Sequence, residues 1–118
     1  MITGFEKITE DLSDDELKLV QPLIDGLKKS KKPVKTNQIV DGMNSYILNH
    51  TNLKVKFNPV KLRKIVNYIR CNSIAPIVAS SEGYQISFDK AVLEKHVYSL
   101  IQRANAIRTA AIGLEKFI

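Results

Sequence analysis

Asn58-Pro59-Val60-Lys61-Leu62-Arg63-Lys64-Ile65-Val66-Asn67-Tyr68-Ile69-Arg70 is the stretch on which the fold turns. Asn followed directly by Pro marks a helix start. The amide can accept from an early backbone N–H, and proline at the first helical position gives up a donor that would have no partner anyway. Leu62, Ile65, Val66 and Ile69 then fall on one side at 100° per residue. The spacing predicts a helix over residues 59–72. Lys64 and Asn67 would lie opposite the apolar stripe, Lys61 and Tyr68 on one flank, and Arg63 and Arg70 on the other. An ordinary solvated helix mixes glutamate among its bases; this one has none.

Downstream, Ile77 and Ala79 alternate in residues 75–79, and Tyr84, Ile86 and Phe88 alternate in residues 84–88. Gly83 between them supplies the positive φ that a short hairpin loop wants. Upstream, Ser13 and Glu16 form a capping box that opens a first helix over residues 14–28, with Leu17, Val20, Ile24 and Leu27 inward. Pro22 is expected to kink or divide it. Asp11, Asp14, Asp15 and Glu16 suit the positive end of that helix and are read as dipole partners rather than metal ligands. A basic connector over residues 28–35 holds a short extended piece around Pro33, and Thr36 then caps a second helix facing inward through Ile39, Val40, Met43, Tyr46 and Ile47. Residues 49–57 are turn-rich, with Leu53, Val55 and Phe57 alternating in a short extended segment. After a lead over residues 1–12, the order helix, helix, helix, hairpin over residues 13–90 predicts a winged helix-turn-helix, mainly α with a small β-hairpin.

From Asp89 onward the sequence reads as one long helix. Leu93, Val97, Leu100, Ala104, Ile107, Ala111, Leu114 and Ile118 recur in steps of four and three, a coiled-coil-like seam. A helix of about 30 residues is roughly 45 Å long, more than a domain of this size covers. Residues 91–118 are therefore expected to form a dimerisation element through Leu100, Ala104, Ile107, Ala111, Leu114 and Ile118; the alternative is a seam folded back on its own domain.

Charge divides the chain into three. Residues 1–25 hold two bases and seven acids, residues 26–81 eleven bases and one acid, and residues 82–118 five bases and four acids, giving the net +6. No acidic residue occurs between Gly42 and Ser81. A surface cleared of carboxylates suits a polyanion. On such a helix Asn can read adenine, Arg or Lys can read guanine, and flanking cations can hold phosphates.

Other classes find no support. No apolar run approaches the ~20 residues that span a bilayer, residues 1–6 lack the pattern of a secretory signal, and a cytoplasmic protein without a membrane partner is expected. Cys71 is alone, so neither a disulfide nor a cysteine-built zinc site is expected. His50 and His96 are far apart and read as surface histidines. With no phosphate loop, paired-histidine motif or nucleophile elbow, the reading is non-enzymatic, without cofactor, metal or catalytic residues.

Leu62-Arg63-Lys64-Ile65-Val66-Asn67-Tyr68-Ile69-Arg70, then Pro76 to Tyr84 with its Ser80-Ser81-Glu82-Gly83-Tyr84 hairpin, then a long arginine-bearing helix, resembles small winged-helix DNA-binding proteins of bacteriophages and integrated mobile elements. The resemblance covers residues 36–114. It implies that the third helix reads DNA, through Lys61, Arg63, Lys64, Asn67, Tyr68 and Arg70; Lys35, Thr36 and Asn37 at the second helix start complete the candidate set. The acidic N-terminal segment and the poorly basic hairpin depart from a strong DNA binder. The expectation is a homodimer binding double-stranded DNA by sequence or structure, in phage or mobile-element regulation or replication. The alternative is a winged-helix protein–protein adaptor in a replication or packaging complex.

Overall fold

Proline decides the first helical turns. The computed structural model describes residues 11–118, so most of the lead over residues 1–12 lies outside the described residues. Helix α1 (Asp14–Leu17) opens on the expected capping box: Ser13 Oγ accepts from the Glu16 N–H at 3.2 Å, and Glu16 Oε1 accepts from the Ser13 N–H at 2.9 Å. Instead of one helix over residues 14–28 there are two, the second being α2 (Val20–Lys29). Pro22 has no N–H to offer the Lys18 carbonyl and its ring would crowd it. The chain tightens before it, Leu19 N–H donating to the Glu16 carbonyl at 3.0 Å, and Pro22 becomes the third residue of α2, where no intrahelical donor is needed. This resets the inward face: Leu19 and Leu23 join Ile24 and Leu27 in the core, Val20 is half-buried and Leu17 is exposed. Leu12, assigned to the lead, is also a core residue.

Helix α3 (Thr36–His50) is capped at Lys35 rather than Thr36, the Gln38 side chain accepting from the Lys35 N–H at 3.4 Å. Ile39, Met43 and Ile47 are buried, with Val40 and Tyr46 half-buried beside them. Residues 51–58 form no strand, yet the alternation survives in burial: Phe57 is buried, Leu53 and Val55 half-buried, and Lys54 and Lys56 exposed. The Asn44 amide fixes this segment, accepting from the Phe57 N–H at 2.8 Å and donating to its carbonyl at 3.0 Å. Helix α4 (Pro59–Cys71) follows, with Asn58 Oδ1 accepting from the Lys61 N–H at 2.9 Å. Its stripe of Leu62, Ile65, Val66 and Ile69 is buried as the spacing predicts.

Strands β1 (Ile77–Ser80) and β2 (Gly83–Ile86) pair antiparallel from Ile77–Ile86 to Ser80–Gly83. Both are shorter than expected; Val78 is buried beside Ile77, and Phe88 lies beyond β2, exposed. Val34, in the α2–α3 connector, bridges to Tyr84 on β2, its N–H donating to the Tyr84 carbonyl at 2.7 Å and its carbonyl accepting from the Tyr84 N–H at 2.9 Å. Gly83 is needed twice over. Its φ is +129°, and a Cβ there would overlap the Val34 carbonyl.

Helix α5 (Lys90–Glu115) starts at Asp89, whose side chain accepts from the Ala91 and Val92 N–H groups. It buries no residue; only Leu93, His96 and Ala111 are half-covered. The radius of gyration, 16.4 Å, exceeds the ~13.5 Å of a compact chain of this length, as a projecting helix requires. The fold is thus mainly helical with one two-stranded hairpin. No helix among the described residues is long and apolar enough to cross a membrane.

Candidate nucleic-acid interface

An open groove of about 1250 Å³ runs beside α4. Val60, Arg63, Lys64, Asn67, Tyr68 and Arg70 line one wall; Ala79, Ser80 and Tyr84 of the hairpin close one side, and His96, Ser99 and Arg103 of α5 stand opposite. Five of the nine candidate DNA contacts thus share one surface. Arg63 is exposed and makes no ion pair among the described residues. Asn67 and Tyr68 are half-buried, with Asn67 Oδ1 3.8 Å from Cys71 Sγ, a long and weak contact.

Lys64 departs from its expected place as an outward reader. Its Nζ donates to Glu16 Oε1 at 2.9 Å, and Lys61 Nζ lies 3.9 Å from Glu16 Oε2. The cause is the position of α1, which packs against α4 and brings a carboxylate across this flank. Glu16 is only 4% exposed. Burial works against its ionised form, but the Ser13 N–H and the Lys64 ammonium outweigh it and hold the carboxyl below its usual range. The acid-free run between Gly42 and Ser81 is therefore answered in space by an acid from the segment before it.

Lys35, Thr36 and Asn37 sit elsewhere. They border a second, shallower depression with Val40, Asp41 and Pro59, where the starts of α3 and α4 meet. Lys35 Nζ donates to the Ser81 carbonyl at 3.2 Å, tying the connector to the hairpin turn, and Asn37 Oδ1 accepts from the Gln38 N–H. Lys61 lines neither depression.

The C-terminal half of the groove holds what sequence reasoning missed. His96, read as a surface histidine, is half-buried, and its Nε2 is shielded without a hydrogen-bond partner among the described residues. Burial, then the charges of Arg70 and Arg103, hold the imidazole below its usual range. Arg70 donates from Nε to the Ile77 carbonyl at 2.8 Å, but its Nη2 is likewise shielded and unpartnered. Burial weighs most against the Arg70 charge, Tyr84 favours it and Arg103 opposes it. The sequence does carry a signal, since His96, Ser99 and Arg103 are three and four apart on one helical face.

The seam expected to dimerise is uncovered. Leu100, Ala104, Ile107 and Leu114 are exposed, with Ile107 at 64% and Leu114 at 62%, and Ala111 is half-exposed. Among the described residues nothing buries these positions, and Leu93, His96 and Ala111 are the half-covered residues of α5. Ile118 falls outside the helix, since α5 ends at Glu115 in a tight turn closed by Phe117 and Ile118. Comparison of the chain with protein-family models, with curated proteins and with solved structures returned no match.

Proposed function

We propose that this chain is a non-enzymatic, winged-helix protein that binds double-stranded DNA through α4 and assembles as a homodimer through α5. The observation that carries the reading is the basic groove beside α4, to which Arg63, Arg70 and Arg103 contribute without an ion pair among the described residues. Among the described residues, Asp11 is the one carboxylate on its walls. The winged-helix assignment is supported by the order α2, α3, α4, β1, β2 and by the Val34–Tyr84 bridge. That bridge ties the connector before α3 to the hairpin, so hairpin and α4 are presented together. The homodimer is supported by the self-complementary character of the seam: small Ala104 and Ala111 between Leu100, Ile107 and Leu114 would let two copies approach closely. Such proteins serve regulation or replication of DNA, and either role fits this surface.

Binding to random duplex DNA across a salt series tests the reading. Affinity should fall linearly on a log–log scale, with a slope set by the number of phosphates neutralised. Salt-independent binding, or none at low salt, would refute it. A protein–protein adaptor is the second reading, favoured by one observation: Glu16 already holds Lys64 and lies near Lys61, removing charge from the flank that DNA would need. An adaptor would keep α5-mediated assembly and fail the duplex test.

A further inference from the structure

Arg70 comes from α4, His96 and Arg103 from α5, and all three line the same groove. They act on one another electrostatically, and among the described residues no carboxylate is one of the charges acting on Arg70 or His96. Three cationic or potentially cationic side chains gathered this way repel each other, and water is largely shut out from Arg70 Nη2 and His96 Nε2. An anion seated among them would relieve that repulsion. Ser99 and Tyr84 add hydroxyls on adjoining walls, and Arg63 and Asn67 continue the groove along α4. The donor set is that of a phosphate site: a planar guanidinium fork, a second guanidinium on a long flexible arm, and an imidazole that can carry a proton.

We propose that Arg70, His96 and Arg103 form a phosphate-binding site where α4, the hairpin and α5 meet, so that the long helix contributes directly to the ligand surface as well as to assembly. The proposal rests on the DNA-binding reading for its preferred source, a backbone phosphate of the duplex. A free phosphorylated compound shares the chemistry.

Protonation of His96 is the internal reporter. The charges acting on it are Arg70 on α4 and Arg103 on α5; Ser99, Cys71, Tyr84, Arg63, Lys64 and Asp11 line the same groove. An anion among Arg70, His96 and Arg103 offsets the two guanidinium charges, so the imidazole should accept its proton at higher pH. Because the chain has two histidines, a His50→Gln background leaves His96 alone to be followed by the NMR shift of its ring Cε1–H against pH.

Three samples are titrated: free protein, protein with inorganic phosphate, and protein with a 20-base-pair duplex. Each is repeated with Arg103→Gln, an exposed position whose change spares the core. The expected result is an upward move of the His96 midpoint by about half a unit or more with either probe, lost in Arg103→Gln. In parallel, Arg103→Gln should weaken duplex binding about three- to tenfold and lower the salt slope by about one unit. A midpoint moved by inorganic phosphate in a protein that does not bind duplex would support the site, assign it to a small phosphorylated ligand and refute the DNA reading. Duplex binding that depends on Arg63 while the midpoint stays fixed with both probes would overturn the site and leave the DNA reading standing. A fixed midpoint without duplex binding overturns both.

Discussion

Helices α4 and α5 carry apolar stripes of similar period and meet opposite fates. In α4 the stripe of Leu62, Ile65, Val66 and Ile69 is buried within the chain's own core, and the helix contacts α1, α3 and β1. In α5 the stripe of Leu100, Ala104, Ile107 and Leu114 is left to solvent, and the helix touches its own domain mainly through β1. The difference teaches that periodicity reports a face and not what covers it. Coverage depends on length and on where neighbouring elements stop. Helix α4, with 13 residues, fits within the span of the elements around it, whereas α5, with 26, reaches ~39 Å and outruns them.

The largest expected effect tests the covered side of that contrast. Ile65 is fully buried, so Ile65→Ala should cost about 2–5 kcal/mol in unfolding free energy, lost transfer energy plus a cavity between α4 and its neighbours. Ile107→Ala, the same change on the exposed stripe, should shift the unfolding of the isolated chain by no more than about 0.5 kcal/mol. Denaturant unfolding at low protein concentration measures both. Equal costs would mean that α5 is covered in solution and would remove the contrast.

A second comparison lies within α4, between Arg63, which makes no ion pair among the described residues, and Lys64, held by Glu16. Arg63→Glu should weaken duplex binding about tenfold and lower the salt slope by about one unit per lost phosphate contact, with the fold intact. Lys64→Gln should cost less DNA affinity and more stability, because it leaves the buried Glu16 carboxylate with only the more distant Lys61 ammonium, 3.9 Å away. A larger loss of affinity from Lys64→Gln than from Arg63→Glu would show that Lys64 abandons Glu16 to meet DNA.

Acid sharpens the same point. The Glu16 carboxyl is held below its usual value of 4.5 in the fold, so the unfolded chain binds the proton more readily. Its contribution is complete above about pH 4.5 and is lost as pH falls through the lower folded value. Unfolding midpoints taken from pH 6 down to pH 3 should decline across that window, and Glu16→Gln should flatten the decline. The partly exposed Lys64 limits the size of that contribution. An unchanged acid profile in Glu16→Gln would mean that the pair adds nothing to folding.

Much of this was legible in the sequence, for reasons that are local. The Ser13 and Asn58 caps, the α4 stripe and the Gly83 turn each depend on residues within one or two turns of chain, and each stands where the spacing puts it. Three features were not legible because they are contacts across the chain. Glu16 reaches Lys64, 48 residues away. Asn44 clamps the Phe57 backbone with an amide whose inward direction no periodicity reveals. His96 looked like a surface residue because nothing local shows that Arg70 lies across the groove from α5. The first helix failed differently: Pro22 gave the warning, but a proline acts on the carbonyl one turn earlier, so the break falls at Lys18 and Leu19 and exchanges Leu17 for Leu19 in the core.

The smallest effect on folding is expected where the effect on assembly is greatest. Ile107 and Leu114 lie in the C-terminal half of α5, and both are exposed. Changing both to Lys removes nothing that the chain buries, so the unfolding free energy of the monomer should stay within about 0.5 kcal/mol of the parent. The same two changes place charges in the middle of a two-helix seam, where facing cations repel and apolar knobs are lost. Sedimentation at tens of micromolar should therefore find the parent as a dimer and the double variant as a folded monomer. Duplex affinity should fall with it, because two joined modules act at a high effective concentration and a single module does not. If the two-fold axis sets both α4 helices on one side, the parent should prefer half-sites about 10 base pairs apart or a multiple of that, and the monomer should show no spacing preference. A parent that sediments as a monomer at these concentrations would remove the second copy as the occupant of this face. The contrast between a self-covered α4 and an uncovered α5 would remain, with a different protein as the partner that α5 awaits.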